Sequence, residues 1–201
     1  MSRQLLETIR CENGQPSHLS YHQQRVDRSL KQLGYSLHLD LASLIEVPDD
    51  TLYRCRVIYD ATSANIEYLP YQKRVIRKLQ LVQADDLDYS LKYADRIELD
   101  QLFAQKGDAD DILVVQNGLI TDTSIANIAF FDGTKWLTPK HPLLKGTTRA
   151  RLLDEKKIFK SEIHIDDLKK YTDFALLNAM IGFDETKNGI IAPIKGVTDV
   201  V

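Results

Sequence analysis

Cysteine is nearly absent from this 201-residue chain, which has only Cys11 and Cys55. With no CxxC pair and no histidine cluster, neither a disulfide framework nor a metal site organises it. Both cysteines lie in strand-like segments and read as reduced, half-buried residues. No apolar run approaches the roughly 18 residues of a spanning helix, so no membrane partner is expected. The opening MSRQLLETIRCENG lacks an apolar core and a small-residue cleavage site, which predicts a cytoplasmic protein. A large excess of either charge is lacking too. The formal net charge is −3, and local basic runs such as Gln72-Lys73-Arg74 read as solvated faces, so nucleic acid is not an expected partner.

What is present suits a globular chain, with 43% apolar and 27% charged residues and enough length for one large core or two small ones. Leu5 to Cys11 reads as a strand closed by the turn Glu12-Asn13-Gly14. A helix is expected over Leu19 to Leu33, capped by Ser17 or Ser20, striped by Val26, Leu30 and Leu33, and stopped by Gly34. Thr51 to Tyr59 and Ser63 to Tyr68 alternate as strands, and Leu69-Pro70-Tyr71 is the linker candidate. Beyond it come a strand at Val75 to Val82, a helix from Leu91 to Phe103, and a hairpin about Asn117-Gly118. Ile125 to Phe131 pairs through Asp132-Gly133 with Lys135 to Thr138. Thr147 to Asp154 and Asp166 to Tyr171 are short helices. Ser161 to Ile165, Phe174 to Asn178 and Ile191 to Val201 are closing strands. Strands and helices mix without regular alternation, which predicts an α+β fold.

The chemistry concentrates between Gly118 and Arg149. A helix opening at Gly146-Thr147-Thr148 presents unbonded N–H groups, two hydroxyls and the positive end of its dipole, which suits a phosphate. Asp122 sits in an apolar strand, GLITDTSIANIAFF, where a buried carboxylate calls for a cation such as a protonated pyridine nitrogen. Lys92, in SLKYADR, can form an imine if sheltered. Arg25, on the first helix, can grip a phosphate with two N–H groups. The bland alternatives are an ordinary helix cap, a strand-edge ion pair, a surface lysine and a solvated arginine.

The order of these blocks resembles the class IV aminotransferases, the fold-type IV pyridoxal-phosphate enzymes. That family includes branched-chain and D-amino-acid aminotransferases and aminodeoxychorismate lyase. The resemblance runs through LLETIRCENGQ, the His22-x-x-Arg25 helix, LKYADRIEL, GLITDTSIANIAFF, TPKHPLLKGTTRARLL and FALLNAMIGFDE. It implies a two-domain architecture, with a small N-terminal α/β domain (1–70) and a larger strand-rich cofactor domain (71–201). It also implies pyridoxal 5'-phosphate as cofactor, a small amino substrate and a homodimer.

By the same resemblance, Lys92 holds the cofactor covalently and serves as acid and base. Arg25, Thr147 and Thr148 bind the phosphate, and Asp122 pairs with the ring nitrogen. Ser124, Ala126 and Asn127 lie near the ring, and Asn178 and Ala179 near the substrate. Two departures stand out. The family usually has glutamate where this chain has Asp122, and its members run several dozen residues longer, so loops shaping the substrate pocket are the expected losses. Lys92-Tyr93-Ala94-Asp95-Arg96 is closer to the lyase version. The resemblance thus favours conversion of 4-amino-4-deoxychorismate to 4-aminobenzoate and pyruvate, with transamination and a non-catalytic family member as alternatives.

Overall fold

A computed structural model of the chain describes residues 3–194. They form two compact units. One holds the residues up to Lys73 together with Leu91–Asp95, and the other holds Arg74–Ser90 and the residues from Arg96 onward.

The first unit is built on β1 (Leu5–Glu12), where the alternating row Leu5, Glu7, Ile9 and Cys11 is buried. Asn13 and Gly14, both at positive φ, turn the chain into the short β2 (Gln15–Pro16). The helix α1 (Leu19–Leu33) has the expected bounds. His22, Arg25, Val26, Ser29 and Leu30 are its buried residues, at the spacing of one helical face. Neither Ser17 nor Ser20 caps it. His18 stands at the N-cap in the left-handed region with no side-chain cap bond, while Gly34 closes the helix at φ 68°. A one-turn α2 (Leu41–Leu44), with Asp40 as cap, was not expected. The strands β3 (Tyr53–Tyr59) and β4 (Ala64–Pro70) complete an antiparallel sheet of order β2-β1-β3-β4. Leu69 and Pro70 therefore end a strand rather than link domains.

Cys11 and Cys55 are wholly buried, not half-buried. Cys11 faces Tyr53 and Cys55 faces Ile9 in the β1–β3 register, so the thiols are diagonal neighbours in the core.

The predicted helix from Leu91 is corrected. Helix begins only at Ile97, and the segment before it lies along β1. The Leu6 N–H donates to the Lys92 carbonyl at 2.8 Å and the Ala94 N–H to the Gln4 carbonyl at 3.0 Å. Leu91 is buried in the first unit's core. A helix through Lys92 would withdraw these backbone partners from β1, and an unpaired strand group costs more than helical propensity returns.

The second unit comprises β5 (Lys78–Gln83), α3 (Ile97–Phe103), β6 (Asp111–Gln116), β7 (Leu119–Thr123), β8 (Asn127–Phe131), β9 (Trp136–Pro139), α4 (Thr147–Asp154), β10 (Ile158–Ser161), β11 (Phe174–Asn178), β12 (Gly182–Thr186) and β13 (Ile190–Ala192). Its nine-stranded sheet runs β10-β9-β8-β7-β6-β5-β13, with β11 pairing β8 and β12. The hairpin at Asn117-Gly118 has both residues at positive φ. β8 and β11 are covered on both faces. Ile128, Phe130, Phe174 and Leu176 join one core, while Ala129, Ala175 and Leu177 meet Leu152 of α4 and Ile158 in another. The small side chains of Ala129 and Ala175 let α4 lie close.

Several edges moved. β10 ends at Ser161 instead of beginning there, and the expected strand from Ser161 to Ile165 is reduced to an isolated bridge of His164 to Leu119. The second short helix is a 3-10 turn at Ile165–Lys170. β12 was not expected. The final strand is seen as Ile190–Ala192, and the part of the expected strand beyond residue 194 lies outside the described residues.

Candidate active site

The site residues read from the sequence fall into two groups, one in each unit. In the first unit, Arg25 is buried on the face of α1 that meets β1. Its Nε donates to Glu7 Oε1 at 2.7 Å and its Nη2 to Glu7 Oε2 at 2.5 Å. His22, one turn earlier, lies with Nδ1 2.6 Å from Glu7 Oε2. Burial alone would raise the Glu7 pKa, but the charge and hydrogen bonds of Arg25, helped by His22, outweigh it and hold the carboxyl at about 2. Lys92 is half-buried, its backbone fixed beside Leu6, one position along β1 from Glu7.

In the second unit, Asp122 is fully buried near the end of β7. The expected single strand through it is instead two, since the chain turns at residues 124–126 before β8. The Thr123 hydroxyl closes that turn, bonding the Ala126 carbonyl at 3.1 Å and the Ala126 N–H at 3.1 Å. The turn sets Asp122 opposite Asn127. Asn127 Nδ2 donates to Asp122 Oδ1 at 2.8 Å and to the Leu144 carbonyl at 2.8 Å, and the Leu144 N–H donates to Asp122 Oδ2 at 2.9 Å. Burial pushes the Asp122 pKa up to about 6 against these bonds and the charge of Arg149.

Asn127 also explains Gly146. A Cβ at Gly146 would lie 2.0 Å from Asn127 Oδ1, so only glycine fits at the N-cap of α4. Thr147 and Thr148 follow at 6% and 5% exposure. The helix ladder begins with the Ala150 N–H on the Gly146 carbonyl, so the first-turn amides stand ahead of it. Among the described residues neither threonine hydroxyl has a hydrogen-bond partner. Arg149, also buried, donates to Thr138 Oγ1 at 3.2 Å and to the Pro139 carbonyl at 2.6 Å, and so ties α4 to β9.

Ser124 is buried beside Asp111, whose pKa burial also raises, and its carbonyl accepts from Arg96 Nη2 at 2.9 Å. Ala126 is buried in the unit's core. Asn178 takes the Met180 and Ile181 N–H groups on Oδ1 and donates to the Ile125 carbonyl at 3.3 Å, so it braces the 124–126 turn. Ala179 is half-buried in the bend after β11.

The structure thus brings Asp122, Asn127, Thr147 and Thr148 together around Gly146, and sets Arg25 on Glu7. Glu7 and Arg149 had no assigned role in the sequence. The signal for Glu7 was available, as the one acid in the core-facing row Leu5, Glu7, Ile9, Cys11. A buried carboxylate without a full countercharge, next to a bare helix terminus with two unpartnered hydroxyls, suits a ligand with a cationic ring nitrogen and a phosphate.

Residues 4–184 match the class IV aminotransferase family. The chain is 42% identical over 184 residues to an uncharacterised protein of Haemophilus influenzae, covering 89% of this chain and 98% of the other. The fold matches the crystal structure of a candidate 4-amino-4-deoxychorismate lyase from Haemophilus somnus with a TM-score of 0.83 at 39% identity, over 94% of this chain and 98% of that one. A hypothetical aminotransferase from Mycobacterium tuberculosis, in its pyridoxal-phosphate-bound form, gives a TM-score of 0.78 at 18% identity, over 97% and 84% of the two chains. At that identity the likeness is one of fold. The chain belongs to the class IV aminotransferase family and is an enzyme. The family depends on pyridoxal phosphate.

Proposed function

We propose that this enzyme uses pyridoxal phosphate to convert 4-amino-4-deoxychorismate into 4-aminobenzoate and pyruvate, a step toward folate. The observation that carries the cofactor reading is Asp122, a fully buried carboxylate raised to about 6 beside the open end of α4. The lyase reading is supported by the likeness to the Haemophilus somnus protein and by the lyase-like Lys92-Tyr93-Ala94-Asp95-Arg96 segment.

In this reading Arg25 binds the phosphate together with the amides and hydroxyls of Thr147 and Thr148. Asp122 stays ionised beside the ring nitrogen and keeps it protonated, although its side chain is one methylene shorter than the family's glutamate. Ser124 and Asn127 lie near the ring, with Asn127 orienting Asp122. Asn178 and Ala179 are assigned to the substrate side. The chemistry that bound pyridoxal phosphate supplies is withdrawal of the electron pair released at the amine-bearing carbon. Lys92 would hold the cofactor covalently. Its Nζ would move the proton that lets pyruvate leave, with aromatisation of the substrate ring driving the step. The proposal includes a cytoplasmic homodimer.

The test is an absorption titration with pyridoxal phosphate for wild type and Lys92→Ala, followed by assays for 4-aminobenzoate and for keto-acid formation from amino acids. Wild type is expected to form a borohydride-reducible yellow species that the variant lacks, and to release 4-aminobenzoate with pyruvate. Keto-acid formation without 4-aminobenzoate establishes the transaminase instead. A wild type that takes up no cofactor sinks both readings.

A further inference from the structure

The buried row of β1 alternates Leu5, Glu7, Ile9 and Cys11, and three of these four are apolar, as a strand packed on a helix requires. Glu7 breaks the row at 0% exposure. A buried ion pair rarely adds net stability over apolar residues of the same volume, so packing gives no reason for an acid here. Its contacts give one. Both Glu7 oxygens are engaged, Oε1 by Arg25 Nε at 2.7 Å and Oε2 by Arg25 Nη2 at 2.5 Å and by His22 Nδ1 at 2.6 Å. The two bonds from Arg25 form a parallel fork that fixes both the rotamer and the plane of the guanidinium.

We propose that Glu7, steadied by His22, is a positioning residue that presets the Arg25 guanidinium for the cofactor phosphate. This rests on the reading of Arg25 as a phosphate ligand. An arginine free to rotate would lose that freedom when the phosphate arrives, whereas here the ordering cost is met by folding. Glu7 touches neither cofactor nor substrate and acts only through Arg25.

The physics of the alternative has the opposite sign. If Glu7 were merely a countercharge, removing it would raise the positive potential at Arg25 and tighten phosphate binding. If it only stabilised the fold, its loss would weaken every ligand alike.

The full chain, stripped of cofactor, is titrated with pyridoxal phosphate and with pyridoxal, which lacks the phosphate. Wild type, Glu7→Gln, Arg25→Gln and the double variant are compared, each checked for folding by urea unfolding. Glu7→Gln is expected to weaken pyridoxal phosphate binding by about tenfold, the value of a lost charged hydrogen bond, and to leave pyridoxal binding unchanged. On the Arg25→Gln background the Glu7 change should add nothing. Binding by Glu7→Gln as tight as wild type or tighter, or an equal loss for both ligands, overturns the proposal. If Glu7→Gln does not fold, the wild type itself decides. The Arg25 Nε–H resonance, identified by its loss in Arg25→Lys, should be sharp and slow to exchange before phosphate is added, and its appearance only with inorganic phosphate overturns the proposal. A wild type that binds no pyridoxal phosphate overturns the functional reading and this proposal together. A wild type that binds it beside an unimpaired Glu7→Gln overturns the proposal alone.

Discussion

Asp122 and Glu7 are both buried carboxylates, and their surroundings push them in opposite directions. Glu7 has a forked arginine and is held at about 2, whereas Asp122 has only neutral donors in contact and rises to about 6. The sign of the consequence follows from linkage. A carboxyl raised in the folded state costs nothing below its ordinary value, where it is protonated whether folded or not. The loss begins as pH rises past the ordinary value of 3.8, where only the unfolded chain ionises, and it levels off once pH exceeds about 6 and the folded protein ionises too. Cofactor-free protein should therefore be less stable at pH 7 than at pH 5 by about 1 kcal/mol from this group alone, with a further loss already incurred between pH 4 and pH 5. Urea unfolding at both pH values measures it. The difference should vanish in Asp122→Asn, and it should shrink when pyridoxal phosphate is bound, because a cation beside Asp122 removes the penalty.

At the scale of elements, α4 is the part on which the second unit's site depends. Leu152 seats it against Ala129, Ala175 and Leu177, Arg149 ties it to β9, and Gly146 brings its first turn against Asn127. At φ −66° Gly146 is in a conformation open to any residue, so a substitution there is a question of space alone. Gly146→Ala would drive a methyl into Asn127, which cannot swing aside without giving up its bonds to Asp122 and Leu144. A loss of about 1–3 kcal/mol in unfolding free energy is expected, as for other overpacked sites, with weaker pyridoxal phosphate uptake. Urea unfolding and the absorption titration read the two effects. α1 was legible in sequence because its apolar stripe and its glycine stop agree, and α4 because Gly146-Thr147-Thr148 marks its opening. The strand through Asp122 was not, because TSIA is apolar enough to continue a strand and nothing local shows that Thr123 folds back on Ala126.

Across the whole molecule, the chain leaves the first unit after Lys73, returns for Leu91–Asp95 and leaves again at Arg96. Lys92 is thereby held by β1 while its flanking sequence belongs elsewhere. The Leu6 and Ala94 amides, which bond across this return, should exchange with solvent as slowly as the β1–β3 amides and more slowly than those of α3. Native-state hydrogen exchange checks this, and rapid exchange at both would mean that Lys92 is not anchored. The sequence alone determined the family, the α+β mixture and both principal helices, because these depend on side-chain type and short-range period. Tertiary structure alone decided that Leu91–Asp95 pairs with β1, that Asn127 brackets Asp122 and that Glu7 grips Arg25. The first and last join groups distant in sequence and the second depends on a turn that no local signal marks, and such pairings are set by which buried polar group finds a partner.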